Sequence, residues 1–267
     1  MKTQKYYRRW KRRYASLLKR LPELLRASRE PGGAEDIHEL RVALRRLRLL
    51  AKVGRPCLGH KVERAFHRWS RRVSDSASEV RDLDVTLEWL RRHSATPETM
   101  ERIYRWRCRA WKMFQARLKM TGVALRKNLR QMTGGSAGRS GLLERHSLLR
   151  DGIMEQVGEG VPFFFEFGNS QQHDFRRALR RLSFLRELEL PRREQAADAR
   201  LKLLVTMHQV LGEYQNCQVH ERILALAGKD SSMVRLNAEL RRDREQWRSR
   251  IIRQFPGLKR ELRCRGN

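Results

Sequence analysis

The chain has 267 residues, carries 60 Lys and Arg against 30 Asp and Glu, and has a formal net charge of +30 with a pI near 11.3. Its 40% hydrophobic content is enough to bury one large core or two smaller ones, which excludes a disordered chain. The four cysteines, Cys57, Cys108, Cys217 and Cys264, lie far apart with no C-x-x-C pair, so zinc and dithiol motifs are excluded and reduced thiols in a cytoplasmic protein are expected.

Along the chain, apolar residues recur at helical spacing and Pro is sparse, so an all-α fold is expected. The opening MKTQKYYRRWKRRYASLL lacks the apolar segment of a signal peptide and reads as a first bundle helix, with a transit peptide or a lipid-surface helix as the lesser reading. No apolar run approaches the ~18 residues that span a bilayer, so no membrane partner is expected. Helices are predicted near 3–27, 36–54, 60–94 with a break around Ser74–Ser78, 97–131, 141–157, 170–188, 194–227 and 231–254. PGGAED at 31–36 ends the first and supplies Asp36 as the cap of the second. An aromatic loop, VPFFFEFGN at 161–169, precedes the sixth, and LPRRE separates the sixth from the seventh.

The chain also repeats itself. HELRVALRRLR at 38–48 aligns with HDFRRALRRLS at 173–183, an offset of 135, and VRDLDV at 80–85 aligns with YQNCQV at 214–219, an offset of 134. Two matches at nearly one offset argue for duplication. The Gly- and Ser-rich MTGGSAGRSG at 132–141 reads as a linker between a first repeat over 1–131 and a second over 142–267. Each half holds about four helices. The expected architecture is therefore two related four-helix bundle halves with internal pseudo-twofold symmetry.

The repeated segment carries the candidate site. His38, Arg41, Arg45, Arg48 and Lys52 are spaced i, i+3, i+7, i+10, i+14 and run about 21 Å along one side of a helix. Ile37, Leu40, Leu44, Leu47 and Ala51 form an apolar stripe about 100° away, so the cations border the core and do not point squarely into water. Arg46 lies off the stripe, at the edge of a groove or paired with a carboxylate. The second half repeats His173, Arg176 and Arg180, with Arg181 in the place of Arg46, and ends in Ser183 where the first half has Arg48. Two such helices about a pseudo-twofold axis would form one continuous basic channel. Of the 60 basic residues 48 are Arg, whose planar fork meets phosphate oxygens two at a time, so a phosphate-rich polyanion is the expected partner.

Other chemistry is less well supported. Asp82 and Asp84 resemble metal ligands, but their counterparts are Asn216 and Gln218, so holding Arg side chains or capping a helix is the better reading. Cys217, His220 and His208 only imitate metal spacing. The glycine runs lack the Lys-Ser/Thr of a phosphate loop, and no nucleophile–base pair is visible, so neither a metal, a cofactor nor an enzymatic activity is expected. YYRRWKRRY at 6–14 and IYRWRCRAW at 103–111 interleave aromatic and basic residues, which keeps RNA or DNA binding as the alternative; Trp10 and Trp111 themselves read as core. Phosphotransfer through His38 or His173 is a further alternative.

The motif H-x-L-R-V-A-x-R-R-L-R followed by R-D-L-D-V, then H-x-x-R-x-A-x-R-R-L and L-G-E-Y-Q-N-x-x-V, resembles the CHAD family, the conserved histidine α-helical domain, from about Tyr6 to Gln254. The resemblance implies two related four-helix units that bind inorganic polyphosphate along a basic surface between them. His38, Arg41, Arg45, Arg46, Arg48, Lys52, His173, Arg176, Arg180 and Arg181 would be the contacts. A binding module in the cytoplasm, at polyphosphate granules, is the implied role.

Overall fold

The computed structural model describes residues 3–30, 33–132, 139–228 and 232–263, with the side chains of 120–132, 139–140 and 263 outside that description. Among the described residues there are ten helices and no strand: α1 Thr3–Ala27, α2 Ala34–Val53, α3 Arg55–Leu58, α4 His60–Arg92, α5 Pro97–Met132, α6 Arg139–Gly160, α7 Asn169–Glu189, α8 Arg192–Gln195, α9 Ala199–Ala227 and α10 Met233–Arg263. The all-α class follows. The central residues of the Gly/Ser-rich stretch, 133–138, and Cys264 lie outside the described residues. The chain divides into two compact units, Met1–Arg145 with Ile223–Ser232, and His146–Arg222 with Met233–Asn267.

In the first unit α1 packs on α2, α2 on α4 and α4 on α5. The Gln115 amide of α5 donates to the Ser28 carbonyl just beyond α1 at 2.9 Å. The aromatic residues of YYRRWKRRY build this core: Tyr7, Trp10 and Tyr14 are buried, Trp10 stacks on Tyr14 with ring centroids 5.1 Å apart, and its indole N–H donates to the Leu50 carbonyl at 2.9 Å. Gly54 makes this possible, because a Cβ there would come within 2.2 Å of the Trp10 ring.

Three local expectations are corrected. Asp36 does not cap α2: the helix starts at Ala34 with Gly33 as N-cap, and Asp36 sits inside the first turn, where its carboxylate suits the positive end of the helix. The break at Ser74–Ser78 is absent, and α4 runs unbroken for 33 residues. Its serines satisfy themselves inside the helix, Ser76 donating to the Val73 carbonyl at 2.9 Å and Ser78 to the Ser74 carbonyl at 2.8 Å. The helix predicted over 194–227 is two, because the Asp198 carboxylate accepts from the Leu201 N–H at 2.7 Å and starts α9 afresh.

In the second unit the aromatic segment before α7 sends Val161 and Phe164 into the core and leaves Phe163 exposed. Phe164 is fully buried and meets Phe175, Phe255 and Tyr214 at centroid distances of 5.2, 5.6 and 6.2 Å. A charge network ties α6, α7 and the start of α9 together. Glu189 accepts from Arg150 at 3.1 Å and Arg186 at 2.8 Å, with His146 Nε2 at 3.8 Å, while Arg186 also reaches Asp198 at 2.6 Å. Burial pushes the Glu189 carboxyl up, but Arg186, His146 and Arg150 outweigh it and hold the group below the usual carboxylate range. The Arg186 hydrogen bond does the same for Asp198, and burial lowers His146.

The signs agree. Depressed carboxylates stabilise the fold above their ordinary pKa values of 4.5 and 3.8 and lose that contribution as pH falls through the folded values; a depressed His is neutral in both states above 6.5 and opposes folding increasingly below it. Thermal melting should therefore fall from about pH 6.5 downward. Glu189→Gln, which leaves two cations without their shared carboxylate, should cost about 3 kcal/mol at pH 7 and flatten the melting profile below pH 5. An unchanged acid limb in the variant would remove Glu189 from the account.

Candidate functional site

The site starts from α2, whose apolar stripe, Ile37, Leu40, Leu44, Leu47 and Ala51, is buried as its spacing requires. His38, Arg41, Arg45, Arg46, Arg48 and Lys52 are all half-buried, so the cations do border the core. Their neighbour is the Ser-rich side of α4. Arg48 donates to the Ser70 carbonyl at 2.9 Å and the Ser74 hydroxyl at 3.0 Å, and Arg41 reaches the Ser74 carbonyl at 3.5 Å. Carbonyl and hydroxyl oxygens orient a guanidinium without cancelling its charge.

α4 adds His and Arg side chains that sequence reasoning passed over. His67, Arg71, Ser74, Ser78 and Arg81 share one side of α4 at spacing i, i+4, i+7, i+11, i+14. Burial first, and the Arg81 charge next, lower the pKa of His38; burial and the Arg48 charge do the same to His67. His67 and Arg81 therefore extend the stripe at its two ends. Their helical spacing was readable, but a solvated charged face has the same spacing, and only the packing of α2 on α4 tells them apart.

Asp82 and Asp84 take structural parts. The Asp82 carboxylate acts on Arg41 electrostatically. Asp84 accepts from Arg107 of α5 at 3.0 Å in a pair whose side chains are only 7% and 8% exposed. Burial raises the Asp84 pKa against the opposing pull of Arg107, and its second oxygen is buried without a hydrogen bond.

On α7, His173 is exposed while Arg176, Arg180 and Arg181 are half-buried. Arg176 donates through Nε to the His208 carbonyl at 3.3 Å and through Nη1 to the Gln215 side-chain oxygen at 3.3 Å, which also lies 3.2 Å from His173 Nδ1. Desolvation, then Arg177 and Arg176, hold the His173 pKa low. Arg181 turns back to the Arg177 carbonyl at 3.3 Å, and Ser183 is buried with its hydroxyl on the Arg180 carbonyl at 2.9 Å, so the second stripe ends there.

The two units build one contact twice. Arg41 on the Ser74 carbonyl and Arg176 on the His208 carbonyl match at offsets of 135 and 134, the offsets of the sequence repeat. What differs is the chemistry around it. Gln215 stands where Arg81 stands, Asn216 donates to Glu213 at 3.1 Å, and Gln218 donates to the Gln172 oxygen at 2.8 Å in place of the Asp84–Arg107 pair. Among the described residues no group of three His, Cys, Asp or Glu side chains could hold a metal ion, and burial pushes the Cys217 thiol up to about 12. Nor, among them, is any helix long and apolar enough to cross a membrane.

Fold and site together define an all-helical protein with a His- and Arg-lined face on its second helix. The chain belongs to the CHAD family: the CHAD domain matches residues 8–152, more than half its length, from α1 into α6. The match ends before α7, which has Ser183 in place of the last Arg, and before α9, which has Asn216 and Gln218 in place of the acidic pair. No curated protein matches the chain.

Gly212 is the residue on which the Arg176 anchor depends, since a Cβ there would lie 2.6 Å from the Arg176 guanidinium. In an open helix interior, Gly→Ala gains roughly 1 kcal/mol. Gly212→Ala should forgo that gain and move the Arg176 Nε–H resonance while leaving that of Arg41 in place. A stabilised variant with an unmoved Arg176 signal would refute the packing argument.

Proposed function

We propose that the protein binds inorganic polyphosphate along the His/Arg stripes of α2 and α7, as a binding module that performs no catalysis. The observation that carries this reading is the repeated anchoring of Arg41 and Arg176 on main-chain carbonyls of the neighbouring helix. Such anchors place guanidinium forks in register along a helix face and leave them cationic. A polyphosphate chain offers about one charge per phosphate and no bases, so it calls for dense, bidentate, sequence-blind donors, with counterion release as the driving force.

Nucleic acid is a poorer fit to these stripes. Base stacking needs aromatic platforms, and Tyr7, Trp10 and Tyr14 are committed to the core of α1. Family membership agrees with a polyphosphate ligand, and a cytoplasmic place at polyphosphate granules goes with that reading.

Replacing Arg41, Arg45 and Arg48 together by Ala should weaken binding of long-chain polyphosphate at least about tenfold, which corresponds to about 1.4 kcal/mol. Replacing Arg8, Lys11 and Arg12, exposed on α1, removes the same charge and should cost far less. Equal losses would leave only diffuse attraction and overturn the stripe.

The histidines make binding depend on pH. His38 and His173 are held below the ordinary 6.5, so both are neutral in the free protein at pH 7. A bound polyanion favours the charged imidazoles, so binding takes up protons and affinity rises as pH falls. Calorimetry in buffers of different ionisation heat should show proton uptake at about pH 7, reduced in His38→Gln and His173→Gln. Zero uptake would remove the histidines from the ligand.

A further inference from the structure

The stretch IYRWRCRAW at 103–111 belongs neither to the α2 stripe nor wholly to the core. Helix periodicity divides it. Ile103, Arg107 and Ala110 turn inward, whereas Arg102, Arg105, Trp106 and Arg109 line a pocket of about 510 Å³ together with Glu98 and Glu101. Trp106 is half-buried, one helical turn from both Arg102 and Arg109.

Two of the three arginines are already positioned. Arg102 donates to the Ala227 carbonyl at the end of α9, beside Gly228, whose φ of +87° turns the chain away there. Arg105 is held by Glu101, Nε to Oε1, at 2.9 Å. Arg109 is exposed, about one helical turn beyond Trp106.

We propose that this pocket takes a nucleoside phosphate, with the base stacked on the Trp106 indole and the phosphate oxygens on Arg105 and Arg109. Its volume falls within the several hundred Å³ of small-molecule sites. An indole among guanidiniums suits a flat π-system that carries negative charge, through stacking on the ring and cation–π support. The two carboxylates argue against a bare polyanion, which they repel, and for a ligand with N–H donors, such as the exocyclic amine of a base. A free nucleotide and a residue of single-stranded RNA present this same chemistry. The site stands apart from the α2 stripe and does not rest on the polyphosphate reading.

The test is calorimetric titration of the full chain with adenosine monophosphate, a short single-stranded RNA and pyrophosphate. Binding of the nucleotide, or of the RNA alone, upholds the pocket and tells which source fills it. Trp106→Leu should weaken that binding about tenfold, and Trp106→Phe should retain most of it. Arg109→Ala, a surface change that leaves the fold intact, should weaken it severalfold and serves if Trp106→Leu fails to fold. Polyphosphate affinity should be unchanged in Trp106→Phe and Arg109→Ala. The proposal is overturned if neither adenosine monophosphate nor RNA binds, if pyrophosphate displaces them as well as they displace themselves, or if Arg109→Ala and the Trp106 variants bind like the parent.

Discussion

Everything about the α2 face follows from the fact that an arginine beside a hydrophobic core cannot shed its charge and still needs its donors met. Arg41 and Arg48 solve this on α4, where Ser70 and Ser74 are small enough for α2 to come close and offer carbonyl and hydroxyl oxygens to the guanidiniums. Carboxylates in those places would satisfy the donors equally well, but they would also cancel the field. The neutral acceptors on Ser70 and Ser74 hold the forks without cancelling their charge, while the Asp82 carboxylate acts on Arg41 electrostatically.

The unit holding α7 keeps this device with different supports. Gln215 replaces Arg81, takes the Arg176 guanidinium and sits against His173, so the local charge is lower although the backbone contact is the same. Gly212 matters because the Arg176 guanidinium lies where any side chain would go. Where the first unit has Arg81 and the Asp84–Arg107 pair, the second has the amides of Gln215 and Gln218. This divergence agrees with a CHAD domain match that ends before α7.

Away from the stripes, the acidic residues act as clamps. Asp84 holds Arg107 from α5, and Glu189 gathers Arg150, Arg186 and His146 where α6 meets the end of α7. Buried ion pairs add little net stability compared with apolar residues of the same size, yet removing one partner is expensive. Their effect is to fix which side chains meet. In a chain with twice as many basic as acidic residues, that draws Arg107 into the interior.

The helical class and the spacing of the basic stripe were legible in the chain, because they depend on periodicity, which is one-dimensional. The burial of Ile37, Leu40, Leu44, Leu47 and Ala51 beside half-buried cations was already implied by a 100° rotation per residue. Local signals misled where a tertiary partner or a self-satisfying side chain intervened. The serines of α4 looked like a break but bond back within the helix, and Asp198 divides a helix whose pattern read as continuous. Only the tertiary structure decided that Ser70, Ser74 and His208 carry the arginines, that His67 and Arg81 join the stripe, and that Arg107 goes inside while Arg109 stays out. Each of these depends on which side of one helix meets another, and the geometry of that meeting is set by packing, not by the spacing of residues along one chain.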